Sequence, residues 1–374
     1  MILSLFFTRG VSLETWINQG LFDREKLIYE EHLKQGNLDK VYWLTYGSND
    51  KILADQLKKE NRLHKDIEVL QMPIFFNIPK IGSYLYSLFL PFIYKKELKN
   101  SDILKTNQMD GSISGVISRW LYKIKFINRT GYTLSIFTKK QNVSKFKQYF
   151  IELNEKITYK YADVNIVASN QDKNYLINKY NLDGKTIEVI HNYIDTNLFK
   201  PLNLQREDKL VFVGRLNKQK NLFNLIESVS KTNLELDIYG KGELKEELIN
   251  FTKELKAKVN FKGVVDNKEL PYILNQYKYY ILVSHYEGMP KTLLETMACG
   301  CICIGTDVDG INEVIEDKVN GYLAKEVNVS DILSILNKID FIDNSKVSKN
   351  GIDTINNHFS LNTIVIRERD LFVK

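Results

Sequence analysis

The chain has 374 residues, of which 44% are hydrophobic and 26% are charged, and its formal net charge is +6. These values are typical of a soluble globular protein long enough for two domains. No stretch approaches the ~18 apolar residues of a spanning helix. We interpret the opening MILSLFF as a buried strand rather than a signal peptide. The three cysteines crowd into CGCIC, without the paired spacing of a metal site, and this indicates a reducing cytoplasm.

The first half alternates strand-like and helix-like runs. Alternation of this kind predicts a parallel sheet with helices on both faces, and ligands at the carboxyl ends of its strands. The predicted strands are Ile2–Phe7, Val41–Thr45, Ile67–Met72, Ile103–Thr106, Lys125–Asn128, Asn165–Ala168 and Ile187–Ile190. The predicted helices include Asp23–Lys34, Lys51–Lys59, Ser83–Glu97 and Lys145–Tyr161.

Basic charge is concentrated between Leu90 and Lys147, where twelve basic residues accompany three acidic ones. Beside this segment lies IGSYLYSLFLPFIYKKELK, Ile81–Lys99, which is apolar and aromatic and then basic. Such a pattern suits the inner face of an anionic membrane, and it also suits a core helix with a solvated end. Basic charge could also serve a nucleic acid, but no recognised binding motif accompanies it, so no nucleic-acid partner is predicted.

The second half restarts the pattern at KLVFVGRLNKQKNL, Lys209–Leu222, which predicts a strand, a glycine turn at Gly214 and a helix. Arg215 and Lys220 follow the turn as two cations five positions apart. The next predicted strand ends in GKG at Gly240, where glycines allow a close approach of the backbone. On their own, Arg215 and Lys220 could also be an ordinary pair of surface cations.

VSHYEGMPKTLLETMACG, Val283–Gly300, predicts the end of a buried strand, a tight loop and a helix that opens at Pro290. Proline is well tolerated at a first helical position because its missing N–H would be unpaired there anyway. The N–H groups around Gly288, Met289 and Lys291 then lie at the positive end of the helix dipole. This arrangement predicts an anion site.

Two glutamates flank that anion site, Glu287 in the loop and Glu295 in the second turn of the helix. A nucleotide-sugar needs N–H groups for its diphosphate, one carboxylate for sugar hydroxyls and one for ribose hydroxyls. The spacing Glu287-x7-Glu295, within HYEGMPKTLLETMACG, resembles the E-x7-E signature of retaining GT-B glycosyltransferases, family 4 in particular. The alternative is a strand–loop–helix unit whose glutamates only cap and solvate.

The resemblance implies roles for the donor side. Arg215 and Lys220 match the family's R-x4-K spacing, which places two cations on the departing diphosphate, and no metal is then needed. Glu287 would orient sugar hydroxyls, and Glu295 would hold the ribose. The remaining implied donor contacts are Gly214, Gly240, Lys262, Val264, Gly288, Met289, Pro290 and Lys291.

The resemblance also implies contacts in the first domain. FTRGVSLETW, with Gly10, resembles the family's N-terminal glycine loop near the acceptor and the diphosphate. NRTGYTLS places Arg129, followed by Tyr132, where many relatives carry a catalytic-site His, so the general base stays open. Asp110, in NQMDGS, is either a donor or acceptor contact or a helix N-cap.

Asp307 and Asp309 form a D-x-D pattern, which binds a divalent metal with the donor in a different glycosyltransferase fold. Here the pattern lies within TDVDGINEVI, which resembles the T-D-V-G-G-x-x-E-x-I segment of the metal-free family. No metal and no cofactor are therefore predicted.

The implied fold is α/β, a GT-B architecture in which two Rossmann-like α/β/α domains face each other across a cleft. Residues 1–200 would bind the acceptor and residues 201–357 the nucleotide-sugar, with a C-terminal helix, about 358–374, crossing back to the first domain. HNYIDTNLFKP resembles the family's interdomain segment, which places the linker at about Thr196–Arg206.

The implied reaction moves a hexosyl group from a UDP- or GDP-sugar to a glycan or lipid-linked glycan, with retention, in bacterial surface polysaccharide synthesis. It would take place in the cytoplasm, with possible contact to an anionic membrane at its inner face. Two other interpretations stay open: a catalytically silent GT-B subunit that binds a partner, and a GT-B sugar-nucleotide epimerase.

Overall fold

The structure is a computed structural model that describes residues 1–131, 133–135, 138, 143–339 and 344–373. Its contacts divide the chain into two compact units. The first unit comprises Met1–Ile190 and Val365–Lys374, and the second comprises His191–Ile364. No described helix is both long and apolar enough to cross a membrane.

The division after Ile190 differs from the predicted boundary at 200/201 because the following segment is bonded to the second unit. The Ile194 N–H donates to the Phe359 carbonyl at 2.8 Å, and Ile194 forms a parallel bridge with Ser360. The side-chain amide of Asn192 donates to the Met289 carbonyl at 3.4 Å. Part of the predicted linker motif is therefore an integral piece of the second unit.

The first unit contains a parallel sheet with the described strand order β3-β2-β1-β4-β5-β6-β7. Its predicted strands are confirmed to within about two residues at each end. The order reverses between β1 and β4, and a switch of this kind opens a crevice at the carboxyl ends of the strands. The strands are β1 Ile2–Phe6, β2 Lys40–Leu44, β3 Ile67–Leu70, β4 Ile103–Thr106, β5 Lys125–Arg129, β6 Val164–Val167 and β7 Ile187–Val189.

Helices flank this sheet, and one predicted helix is divided in two. The sequence predicted Ser83–Glu97 as a single helix, but the helical geometry is interrupted at Tyr94 (φ −103°, ψ 33°). Pro91 lies inside α4, which continues past it, so the interruption at Tyr94 lies beyond the turn that a proline disturbs. The helices are α1 Leu13–Asn18, α2 Phe22–Lys34, α3 Asp50–Lys59, α4 Gly82–Ile93, α5 Lys95–Lys99, α6 Ser112–Tyr122, α7 Lys145–Tyr161 and α8 Asn170–Tyr180.

The second unit contains another parallel sheet, with the described order β10-β9-β8-β11-β12-β13. Leu210, Val211 and Phe212 of β8 are apolar and buried, and so is β11 apart from Lys278, as expected for a sheet covered on both faces. The strands are β8 Glu207–Val213, β9 Leu236–Tyr239, β10 Val259–Gly263, β11 Tyr277–Leu282, β12 Ile302–Thr306 and β13 Tyr322–Ala324. The helices are α9 Leu222–Ser230, α10 Lys245–Glu254, α11 Leu270–Leu274, α12 Lys291–Ala298, α13 Val329–Leu336 and α14 Ser345–His358.

The last helix, α15 Leu361–Val373, begins in the second unit and continues in the first. The sequence predicted such a crossing helix, with Ser360 at its start, and the Thr363 N–H does donate to the Ser360 Oγ at 3.3 Å. Glu368 anchors the helix in the first unit, because the buried Lys105 ammonium lies 2.6 Å from its carboxylate. His32 lies 3.4 Å from the same carboxylate.

Candidate active site

The predicted anion-binding helix is present as α12, one residue later than expected. Pro290 is its N-cap (φ −72°, ψ 107°) rather than its first helical residue, and Lys291 begins the helix. Cys299 is the C-cap, and Gly300 follows with φ +80°. The loop that leads into α12 leaves the carboxyl end of β11, where parallel sheets bind ligands.

Glu287 is fixed in this loop by three side chains. Its carboxylate lies 2.5 Å from the Lys220 ammonium and accepts a hydrogen bond of 2.5 Å from the Ser284 hydroxyl. The Gln219 amide donates to its other oxygen at 3.3 Å, and also to the Tyr286 carbonyl at 2.9 Å. Only 7% of the Glu287 side chain is exposed. The carboxylate is therefore held in one place while its edge can still reach a ligand.

Arg215 supplies a second cation near the carboxyl end of β8. It is exposed, and its guanidinium makes no hydrogen bond or ion pair with any residue that the structure describes. Lys220, by contrast, lies in a short 3-10 helix, Lys218–Lys220, and is mostly buried against Glu287. One cation is thus engaged and the other is available to an anion.

The glycine loops that follow β8 and β9 touch each other. Gly240 has a φ of +150°, and a Cβ at this position would lie only 1.8 Å from the Gly214 carbonyl oxygen. The Gly214 N–H donates to the Tyr239 carbonyl at 3.0 Å, and the Leu216 N–H donates to Lys241 at 3.0 Å. Only glycine at 240 permits this approach, which positions the chain around Arg215.

The Glu287 loop also depends on a glycine. Gly310 has a φ of +78°, and a Cβ there would lie 1.9 Å from the Gly288 carbonyl oxygen. Gly288 itself is exposed, whereas Met289 and Pro290 are buried. Glu295 is 94% buried, with only 6% of its surface exposed, in the middle of α12. Both predicted glutamates, Glu287 and Glu295, are therefore largely buried.

Lys262 and Val264 lie at the carboxyl end of β10, as predicted. The pairing of β10 with β9 shifts between Phe261 and Gly263, which places Lys262 in a bulge. The Lys262 ammonium lies 3.4 Å from the carboxylate of Asp237, a buried residue of β9. Val264 is exposed.

Asp237 is a buried, hydrogen-bonded carboxylate that was not predicted from the sequence. It accepts hydrogen bonds from the Tyr277 hydroxyl at 2.6 Å and from the Asn260 amide at 2.8 Å. Burial raises the pKa of Tyr277, and its bond to Asp237 raises it further, so this phenol stays neutral. A carboxylate within the strand LDIY, Leu236–Tyr239, was the available signal.

In the first unit, the predicted Gly10 loop is tied to Asp110 through Arg9, a residue that was not singled out. The Arg9 guanidinium lies 2.7 Å from the Asp110 carboxylate, and the Arg9 N–H donates to the Asp110 carbonyl at 2.8 Å. Arg9 also lies over the Tyr84 ring, 3.7 Å from its centroid. Asp110 is not the N-cap of α6, because Gly111 occupies that position.

Arg129 ends β5, and its guanidinium donates to the Asn107 carbonyl at 3.4 Å. Its backbone is fixed by Thr106, whose hydroxyl accepts from the Arg129 N–H at 2.8 Å. Tyr132, the other predicted residue of this segment, lies outside the described residues.

The D-x-D aspartates lie in turns after β12. Asp307 accepts a hydrogen bond of 2.9 Å from the Asn312 side chain. Among the described residues, no group of three or more His, Cys, Asp or Glu side chains is arranged to hold a metal ion. The cysteines are free and buried, and burial raises the pKa of Cys301 to about 11.

Comparison with known families decides the assignment. The family model for glycosyl transferases group 1 matches residues 194–350, and the model for glycosyltransferase family 4 matches residues 34–198. The chain belongs to the group 1/family 4 glycosyltransferases. The first model contains the Arg215–Glu287 region, and the second contains Asp110 and Arg129.

Relatives of this family 4 member include bacterial transferases. The Escherichia coli UDP-Gal:alpha-D-GlcNAc-diphosphoundecaprenol alpha-1,3-galactosyltransferase is 28% identical, over 75% of this chain and 77% of its own length. A Campylobacter jejuni N-acetylgalactosaminyltransferase, which acts on N-acetylgalactosamine-N,N'-diacetylbacillosaminyl-diphospho-undecaprenol, is 31% identical over 52% of this chain and 55% of its own length.

Solved structures show that the fold is GT-B. Anabaena HepE in complex with UDP aligns with a TM-score of 0.76 at 17% identity, covering 100% of this chain and 99% of that chain. The apo form of the lipopolysaccharide outer core galactosyltransferase WaaB aligns with a TM-score of 0.71 at 18% identity, covering 100% of both chains. The predicted α/β fold class is therefore confirmed.

Proposed function

We propose that this glycosyltransferase moves a hexosyl group from a UDP- or GDP-sugar to a lipid-linked glycan, with retention of configuration and without a metal ion. The observation that carries the proposal is the arrangement around Glu287. A nearly buried carboxylate is fixed by Lys220, Ser284 and Gln219, and Arg215, which pairs with no residue that the structure describes, lies five positions before Lys220. This arrangement presents a carboxylate to hydroxyls and cations to phosphates.

The two cations would act on the leaving group. Negative charge accumulates on the nucleoside diphosphate as the glycosidic bond breaks, and fixed cations stabilise that charge more in the transition state than in the ground state. Arg215 offers a planar fork for two phosphate oxygens. Lys220 would share its charge between the diphosphate and Glu287, so that it couples the sugar end of the site to the phosphate end.

Glu287 would orient the sugar hydroxyls, and Glu295 would hold the ribose. In the proposed mechanism the acceptor attacks the face from which the diphosphate departs, and a leaving phosphate oxygen takes the acceptor proton. The cations then replace the Lewis acid that other transferases obtain from a metal. Gly10, Asp110 and Arg129 of the first unit stay predicted contacts of the acceptor or the donor.

The proposed acceptor follows from the relatives, whose names specify glycans carried on diphosphoundecaprenol. A third relative is a lipopolysaccharide 1,6-galactosyltransferase of Escherichia coli, 29% identical over 47% of this chain and 52% of its own length. These activities support a role in bacterial surface polysaccharide synthesis. The cytoplasmic face of the cell membrane is the location that we propose for it.

A thermal-shift panel of UDP, GDP and their sugars tests the donor site. A ligand that binds only the native state raises the melting temperature, and we expect one nucleotide series to do so in the wild type but not in Arg215→Ala. Lys253→Ala removes an exposed cation of α10 and should leave the shift unchanged. If no nucleotide shifts the wild type, the proposal fails and a catalytically silent subunit becomes the better explanation.

Product analysis tests the remaining parts. The anomeric proton coupling of the first-formed product should match that of the donor sugar, and an inverted product would overturn retention. Transfer should persist after exhaustive chelation with EDTA. Loss of transfer that returns with Mg²⁺ or Mn²⁺ would overturn metal independence.

A further inference from the structure

A continuous stripe of apolar side chains in the first unit faces solvent. It begins in the 3-10 turn Ile74–Phe76 and continues along α4. Exposed fractions reach 76% at Ile74 and 53% at Phe89. Single exposed apolar residues are normal, but a stripe of them marks an interaction surface. We name as the apolar ridge the residues Ile74, Phe75, Ile81, Tyr84, Leu88, Phe89 and Phe92, all of which are exposed.

The ridge is not required for packing within the unit. The opposite face of α4 carries the buried Tyr86, Leu90 and Pro91 and packs on α6. Two bonds fix this contact: the Ser114 hydroxyl donates to the Ser87 carbonyl at 2.7 Å, and the Tyr122 hydroxyl donates to Pro91 at 2.7 Å. The helix is thus apolar on both faces, with one face satisfied and the other exposed.

The ridge has positive charge at both ends and none within it. No charged residue occurs between Ile81 and Tyr94. Lys80 precedes α4, and Lys95, Lys96 and Lys99 of α5 follow it. These four ammonium groups are exposed, and none pairs with a carboxylate among the described residues.

We propose that the apolar ridge lies in the headgroup and upper acyl region of a bilayer that contains anionic lipids. The Tyr84 hydroxyl is the ridge's single polar side-chain group, so the surface offers a protein partner little to hydrogen-bond. Aromatic and branched aliphatic side chains flanked by lysines match an interfacial helix that lies in the plane of the membrane. The lysines would contact the lipid phosphates.

The ridge is directly connected to the loop proposed to receive the acceptor. Tyr84 contacts the Arg9 guanidinium, and Arg9 is paired with Asp110. Gly10 follows Arg9 in the chain. Docking through the ridge would therefore bring the Gly10 loop to the level of the lipid phosphates, where the sugar of a lipid-linked acceptor begins. This inference rests on the proposed function for the identity of the acceptor.

Vesicle flotation of the full chain tests the proposal, with phosphatidylcholine vesicles that contain or lack phosphatidylglycerol. The wild type should float with the anionic vesicles. Leu88→Ser, Phe89→Ser and Phe92→Ser combined should lower the bound fraction at least about tenfold, because three large apolar side chains are removed from the lipid. Lys95→Gln, Lys96→Gln and Lys99→Gln combined should remove the preference for anionic lipid.

Two matched controls isolate the ridge. Phe146→Ser, Tyr149→Ser and Phe150→Ser change another exposed aromatic group of the first unit, on α7. Tyr272→Ser and Val319→Ser change exposed apolar residues of the second unit. Both controls should float like the wild type. Unaltered flotation of the ridge variant would overturn the assignment. If the α7 variant lost flotation at the same time, the membrane contact would lie on α7 instead.

Sedimentation velocity and a short-chain acceptor separate the other outcomes. If the ridge variant converts a dimer into a monomer and the wild type does not float, the ridge is a contact between copies of the chain, and the proposal is wrong. Transfer to a water-soluble acceptor without any flotation of the wild type would overturn the docking surface but leave the proposed function intact. Flotation without transfer to any acceptor would overturn the proposed function and leave the docking surface.

Discussion

Each unit of the molecule contains a short lysine–glutamate pair, and the two pairs have different surroundings. In the first unit, Lys105 lies 2.6 Å from Glu368, and both side chains are 1% exposed. In the second unit, Lys220 lies 2.5 Å from Glu287, with exposures of 13% and 7%. The distances alone do not separate a structural pair from a functional one.

The surroundings do separate them. Lys105 donates to both oxygens of Glu368, at 2.7 and 2.6 Å, and no oxygen of that carboxylate is left for a ligand. The Glu287 carboxylate is held by neutral donors as well as by Lys220 and lies in the loop after β11. Arg215, in the same region, pairs with no described residue. We call Lys105–Glu368 the closed pair, because it can only stabilise the fold. We call Lys220–Glu287 the open pair, because it can exchange partners with a substrate.

The largest expected effect is the loss of stability when the closed pair is broken. Glu368→Gln should lower the free energy of unfolding of the first unit by about 3–5 kcal/mol, because it leaves Lys105 buried without a counter-charge. All three tryptophans of the chain, Trp16, Trp43 and Trp120, lie in the first unit, so tryptophan fluorescence during urea unfolding reports on that unit.

Asp370→Asn provides the control on the same helix, because this exposed carboxylate pairs only with the neighbouring Arg369 among the described residues. It should change stability by less than about 0.5 kcal/mol. Equal effects of the two substitutions would contradict the closed-pair interpretation.

The closed pair also predicts a pH dependence. Burial would raise the pKa of Glu368, but the charges of Lys105 and His32 outweigh it and lower the pKa to about 2. The folded-state pKa is below the ordinary value of 4.5, so the stabilisation is complete above that value. It should be lost as the pH falls from about 4.5 to about 2. Urea titrations across that window should show this loss in the wild type and not in Glu368→Gln.

The open pair should affect activity rather than stability. Glu287→Gln should lower kcat/KM about 100-fold or more, because the amide cannot hold the sugar hydroxyls and Lys220 as the carboxylate does. The melting temperature without ligand should stay close to that of the wild type. Glu254→Gln, at an exposed position of α10, is the matched control for transfer assays. Full activity of Glu287→Gln would remove this residue from the proposed site.

A smaller effect is expected from the glycine behind the Glu287 loop. Gly310→Ala should reduce activity about tenfold, since its Cβ would displace the Gly288 carbonyl and the loop with it. Gly36→Ala is matched in backbone geometry, with φ +70° and no atom within 4 Å of the added Cβ. Both should lose about 1 kcal/mol of stability to backbone strain, and Gly310→Ala should lose more because its Cβ also meets backbone atoms. Only Gly310→Ala should lose activity, and equal activities would show that the loop tolerates the displacement.

The smallest expected effect comes from removing an uncharged hydrogen-bond donor to Glu287. Ser284→Ala removes a 2.5 Å donor from Glu287 and should lower kcat about fivefold, the order expected for one hydrogen bond to a charged group. Ser230→Ala removes a comparable hydroxyl, which donates to the Glu227 carbonyl at 2.8 Å on the surface of α9. Steady-state measurements of kcat for both variants test this prediction. If Ser230→Ala lowers kcat as much, Ser284 has no positioning role.

Much of the fold was predictable because buried parallel strands are nearly continuous apolar runs and glycines mark the turns after them. The α7 range was predicted to the residue, as was β4. The position of Glu287 before a helix followed from the proline that opens α12. These features are encoded locally, within about twenty residues, and local patterns can be read from one sequence.

What could not be predicted depends on contacts between distant segments. Asp110 was predicted to be either a donor or acceptor contact or an N-cap. Its carboxylate pairs with Arg9, about a hundred residues earlier in the chain. The ridge sequence on α4 suited a core helix as well as a membrane surface, and only the packing on α6 shows which face is buried. Ser284 and Gln219 carry no motif of their own, because their role exists only where the chain brings them to Glu287.

The closed pair affects when the first unit can fold during translation, because its two residues are translated at very different times. Lys105 and Glu368 are 263 residues apart in the chain. At about 5–20 residues per second, Lys105 must wait on the order of ten to fifty seconds for its partner to be translated. During that interval the strand that carries Lys105 cannot bury its ammonium at low cost, so the first half of the nascent chain should stay open while the second half is made. We therefore expect the first unit to complete its folding only after the last helix has been translated.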